Sequence, residues 1–97
     1  MIIKEGYFVK KGFPKTNGKN IRDLLVDKVF GTPFLNTGDE FVFTHKDIGF
    51  DPFPKEVKDI IIVFKDGDNN EIELRFPEEY IGNRVVDESR RITVTIP

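Results

Sequence analysis

Apolar and polar positions alternate most regularly in the second half of the chain. In "VKDIIIVFKDGDNNEIELRF" two apolar runs, at about 57–65 and 71–76, flank the turn formers "DGDNN", and together they predict a β-hairpin. In the second run Ile72, Leu74 and Phe76 share one face, while Glu71, Glu73 and Arg75 share the other. The first run is apolar on both faces at its centre: Ile60, Ile62 and Phe64 on one, Ile61 and Val63 on the other. A strand of this kind belongs in the middle of a sheet, with something covering its back. The terminal "RRITVTI" alternates cleanly, with Ile92, Val94 and Ile96 facing inward.

The first half is less regular. "MIIKEGYFVK" reads as a strand, but Ile3, Tyr7 and Val9 share a face with Glu5, and Ile2 and Phe8 share one with Lys4 and Gly6. Over residues 20–30, Ile21, Leu24, Leu25, Lys28 and Val29 fall at helical spacing, and only Lys28 interrupts the apolar stripe. Asn17 or Asn20 offers an N-cap oxygen, Gly31 sits where a left-handed residue ends a helix, and Pro33 prevents continuation. "GDEFVFTH" predicts the next strand, "KDIGFDPFPKE" a loop, and "PEEYIGNRVVDE" a loop with a short strand near 83–86.

The element order is therefore β-α-β-β-β-β. It predicts a single small α+β domain over residues 1–97, with one helix packed on a bent, mostly antiparallel sheet of five to six strands. A partly open barrel is the closed variant of the same layout. No motif selects a family.

Composition narrows the function classes. The chain has no Ala and no Gln but ten Phe, a bias toward strands that also matches AT-rich coding, as in low-GC bacteria and their phages. It lacks cysteine, which excludes thiol chemistry and disulfides and fits a cytoplasmic protein. No apolar run reaches the ~18 residues of a membrane span. Lys4 and Glu5 in the first segment argue against a secretory signal. Net charge is −2 but uneven: residues 1–28 carry seven Lys/Arg against three Asp/Glu, and residues 29–97 carry eight against fourteen. Such asymmetry marks an interaction surface, unless the fold sets the two halves side by side and cancels it.

The basic half centres on "KKGFPKTNGKN", residues 10–20. A phosphate-binding P-loop needs four residues between its glycines and a hydroxyl after the lysine. Here five residues separate Gly12 from Gly18, Asn20 replaces the hydroxyl, and Pro14 removes an N–H donor. The triphosphate reading is therefore excluded. A weaker one remains, in which Lys10, Lys11, Lys15, Asn17 and Lys19 contact an anion or a nucleic-acid backbone beside Tyr7, Phe8 and Phe13. Its bland counterpart is a solvated connection whose lysines serve solubility and whose aromatics belong to the core.

A second constellation is aromatic. Phe13, Phe34, Phe50 and Phe53 each stand beside or near a proline in a loop, and loops of this kind that converge form an apolar patch for a protein partner. The alternative is that each ring plugs the core beneath its own loop. "DGDNNE" matches the first three EF-hand ligand spacings but has Glu71 where the sharp turn needs glycine. His45 is the only histidine and Ser89 the only serine, so a Ser-His or His-metal arrangement has very little to draw upon. "THKD" places His45 at a strand end, where exposure is expected. No catalytic, cofactor or metal residues are assigned. The sequence favours a non-catalytic module that engages a protein partner, or a second copy of itself, through aromatic loops or a sheet edge, with nucleic-acid binding as the alternative.

Overall fold

Six antiparallel strands form one sheet in the computed structural model, which describes residues 1–49, 53, 56–80 and 90–97. They are β1 (Ile2–Lys10), β2 (Lys19–Asn20), β3 (Glu40–Phe43), β4 (Lys58–Lys65), β5 (Glu71–Tyr80) and β6 (Arg90–Thr95). Their spatial order is β2-β1-β4-β5-β6-β3. The sheet bends within β5, whose residues 71–77 pair with β4 and 78–80 with β6. It does not close into a barrel, so the α+β expectation holds in its open form. The sequence-predicted strand near 83–86 lies outside the described residues.

β4 is central and buried on both faces, as its apolar run predicts. Ile60, Ile62 and Phe64 face the main core, with Ile3, Phe8, Leu25, Ile92 and Val94. Ile61 and Val63 point to the opposite face and are buried as well.

The uneven alternation of β1 has a structural cause. A bulge between Ile3 and Glu5 shifts the register, so Ile3 pairs with Phe64, Gly6 with Ile62 and Phe8 with Ile60. One extra residue moves Ile3 onto the same face as Phe8, contrary to the strict period-two reading. The Gly6 position is also where the helix presses closest: a Cβ there would come within 2.4 Å of Leu25 Cδ1.

The helix differs from expectation in length and winding. α1 (Arg22–Leu25) continues as a π-helical turn over Val26–Phe30, closed by the Gly31 N–H donating to Val26 O at 2.7 Å. The wider turn aligns Phe30, rather than Val29, beneath Ile21 and Leu25, and Lys28 stays in solvent. Gly31 ends the segment in the left-handed region at φ 75°, and Asn20 Oδ1 accepts from Arg22 N at 2.9 Å.

The stretch after β3 is not wholly a loop. α2 (His45–Ile48) forms one turn whose capping box joins Thr44 and Asp47. This turn buries His45, correcting the expectation of an exposed histidine.

Candidate functional site

Segment 10–20 is a cover before it is anything else. On the back of the sheet, Glu5, Val63 and Glu73 form one row across β1, β4 and β5. Lys15 pairs with Glu5 at 3.4 Å and with Glu73 at 3.3 Å, so its ammonium bridges the two carboxylates that flank Val63. The next row holds Tyr7, Ile61 and Arg75. Arg75 pairs with Asp59 at 2.6 Å and donates a second bond to Phe13 O. Asp59 in turn accepts from Gly12 N at 3.2 Å. These contacts draw the loop over β4, and a short 3-10 turn at Lys15–Asn17 fits it to the surface.

The electrostatics follow from this arrangement. The Tyr7 hydroxyl donates to Glu5 Oε1 at 2.6 Å and is the main cause holding the Glu5 carboxyl below its ordinary value of 4.5. Partial burial opposes that shift, and Lys15 reinforces it. The same hydrogen bond raises the Tyr7 phenol. Lys15 loses some water, which pulls its pKa down, but bonds to Glu73 and Glu5 outweigh this and leave it raised.

The five predicted anion contacts are thus dispersed. Lys15 is consumed by the clamp. Lys10 pairs with Glu56 at 3.5 Å and lies 5.5 Å over the Phe53 ring. Lys19 lines a separate recess with Lys4 and Arg22, both of which are ion-paired, to Glu71 and Asp23. Lys11 is exposed, with no carboxylate partner among the described residues. Asn17 joins Lys10, Phe13 and Phe53 around a recess of about 220 Å³. Phe8, the nearby aromatic, is buried in the core. Lys4, Lys10 and Lys15 of the basic N-terminal quarter pair with carboxylates of the acidic remainder, Glu71, Glu56 and Glu73.

The four loop aromatics also separate. Phe34 is 68% exposed and bridges Ile2, at one end of β1. Phe13 is 47% exposed and shares the recess with half-buried Phe53 at the other end. Phe50 lies outside the described residues. No single aromatic patch forms from those described.

A buried ionic cluster, not anticipated from the sequence, sits beside this recess. Glu78 Oε1 forms an ion pair with Lys58 Nζ at 3.3 Å and accepts from Lys58 N at 3.3 Å and Arg90 Nη1 at 3.1 Å, with all three side chains almost wholly enclosed. Both cations also reach Glu56 O, at 2.9 and 2.8 Å, and Lys58 reaches Phe53 O at 3.5 Å. The cluster therefore ties the chain before β4, including the Phe53 wall of the recess, to the end of the sheet. Strand parity carries the signal: Lys58, Glu78 and Arg90 each continue the inward-facing set of their own strand by one step.

The sheet edges differ in cover. β2 contributes only two residues, and the free half of β1 is met by Pro33–Leu35, through Ile3 N to Pro33 O and Leu35 N to Met1 O. Among the described residues β3 pairs with β6 on one side only. Since Ile96 N donates to Asp39 O, alternation along the ladder turns the N–H and C=O of Glu40 and Val42 outward. Val42 is 55% exposed.

Among the described residues no group of His, Cys, Asp and Glu is arranged to hold a metal, and no helix is long and apolar enough to cross a membrane. Comparison with protein-family models, curated proteins and solved structures finds no match to this chain.

Two predictions follow from the clamp and the cluster. Glu5 has a lowered pKa in the fold, so its contribution to stability is present above 4.5 and is lost as pH falls through the folded value. Urea unfolding across pH should show this acid loss reduced in Tyr7→Phe, which lacks the leading cause of the shift; an unchanged acid limb contradicts the assignment. Glu78→Ala leaves two buried cations without their carboxylate and should cost ~3–5 kcal/mol in equilibrium unfolding.

Proposed function

We propose that the chain is a non-catalytic, cytoplasmic interaction module that captures an extended segment of a protein partner along the outer edge of β3. The observation that carries this reading is the exposed edge at Glu40 and Val42, unpaired among the described residues, against the short β2 and the covered half of β1. An added strand gains main-chain bonds from the outward groups of these two residues, while their side chains supply selectivity. Val42 suits an apolar neighbour, and Asp39 and Glu40 favour a basic one. Two like-charged copies of this edge are poorly matched, which favours a different chain over self-association.

A second reading, nucleic-acid binding by segment 10–19, draws on the recess at Lys10, Phe13, Asn17 and Phe53 and on the uncommitted Lys11. It has lost the helix start as an anion site, because α1 is a single turn whose first amide, Arg22 N, already donates to Asn20 Oδ1.

Val42→Pro tests the edge reading without removing an internal ladder bond, since the Val42 N–H points outward. A partner retained by the wild-type protein from an extract of its native cells should be lost with Val42→Pro and kept with Lys11→Glu. Amide exchange at Glu40 and Val42 should slow in the complex. Retention of the same partner by Val42→Pro, with the Glu40 and Val42 amides of the wild-type complex still exchanging freely, rejects the edge.

A further inference from the structure

We propose that the recess framed by Lys10, Phe13, Asn17 and Phe53 receives a single flat, acceptor-rich ring, the base of a nucleotide. The inference deepens the nucleic-acid reading and rests on it, and it is independent of the β3 edge. Four observations converge. The walls include two phenyl rings, Phe13 and Phe53, and faces of this kind stack any base. The volume, about 220 Å³, is below the ~300–1,000 Å³ of sites for larger ligands, so it suits one ring system. The Lys10 ammonium covers one face of the Phe53 ring at 5.5 Å, which leaves the exposed Phe13 ring as the stacking face and the ammonium as a donor at the wall. Its pairing with Glu56 is long and half-exposed, and hence readily exchanged for a ligand.

Asn17 adds a carboxamide that makes no side-chain hydrogen bond among the described residues, and it offers both a donor and an acceptor to a base edge. Lys11, next in sequence to Lys10, is exposed and uncommitted, as a phosphate contact outside the recess requires. The Phe53 carbonyl accepts from the buried Lys58 ammonium at 3.5 Å. The site is thus one half-buried ring, one exposed ring and two polar groups. The same ring chemistry is presented by a free mononucleotide and by an unpaired base within a single strand.

The test is a titration of ¹⁵N-labelled protein with UMP, with a single-stranded oligo(dT) hexamer and with a blunt DNA duplex. Shifts are expected at the Phe13 amide, the Asn17 side-chain amide and Lys10 with the hexamer, and not with the duplex. UMP shifting the same signals identifies the free nucleotide as sufficient; shifts with the hexamer alone identify the strand as the source. Phe13→Ala should weaken binding at least tenfold, and its thermal midpoint reports whether the fold is intact. Lys11→Glu should weaken the hexamer more than UMP. Hexamer binding that survives Phe13→Ala unchanged overturns the ring site while leaving phosphate binding standing. No shift with any of the three overturns both.

Discussion

The constraint on which the rest depends is that β4 must be dry on both faces. Its apolar centre, Ile60 to Phe64, runs through the middle of the sheet, and neither side can be left to water without a cost of about 25 cal/mol for each Å² of apolar surface. On one side α1 and its π turn supply Ile21, Leu25 and Phe30. On the other no α-helix packs among the described residues. Segment 10–20 does that work instead, and because it carries few apolar side chains it is held by charge: Lys15 across Glu5 and Glu73, and Arg75 between Asp59 and Phe13 O. The asymmetric charge of the two halves of the chain is the consequence.

This reading reverses the apparent meaning of the lysine-rich stretch. Of the residues that look available for an anion, Lys10 and Lys15 are committed to acidic neighbours, and what remains for binding is what the cover does not use. Two places qualify on different grounds. The β3 edge offers unpaired backbone groups, and the recess at Phe13 and Phe53 offers rings with polar company. The β3 edge lies at the opposite side of the sheet from β1, whereas the recess shares Phe13 and Asn17 with the segment that Lys15 clamps, so its occupancy is coupled to the cover. The buried cluster of Lys58, Glu78 and Arg90 links stability to the second, because it fixes the chain that carries Phe53.

Much of the fold was legible in the sequence because burial on a sheet has a period of two. The hairpin, the two-sided burial of β4 and the inward set of β6 all follow from alternation, and Gly31 ends the helix where expected. The departures have local causes that composition does not display. A bulge after Ile3 moves one residue across the sheet, and a π turn replaces Val29 by Phe30 in the core. The ionic cluster was hidden for another reason. Lys58, Glu78 and Arg90 have inward parity, but their charge suggests solvent, and only the pairing of three strands shows that each reaches a partner. The site aromatics were the least legible, since loop convergence depends on tertiary geometry: it joins Phe13 to Phe53 and leaves Phe34 beside Ile2.

The central claim, that a charged loop keeps the back of β4 dry, is tested most directly by methyl relaxation with a water-soluble paramagnetic probe. Ile61 and Val63 should be as protected as Ile60 and Ile62, while Ile2 and Val42, both exposed, relax strongly. Relaxation of Ile61 and Val63 comparable to that of Val42 would mean that segment 10–20 does not cover the strand, and its lysines would then be free.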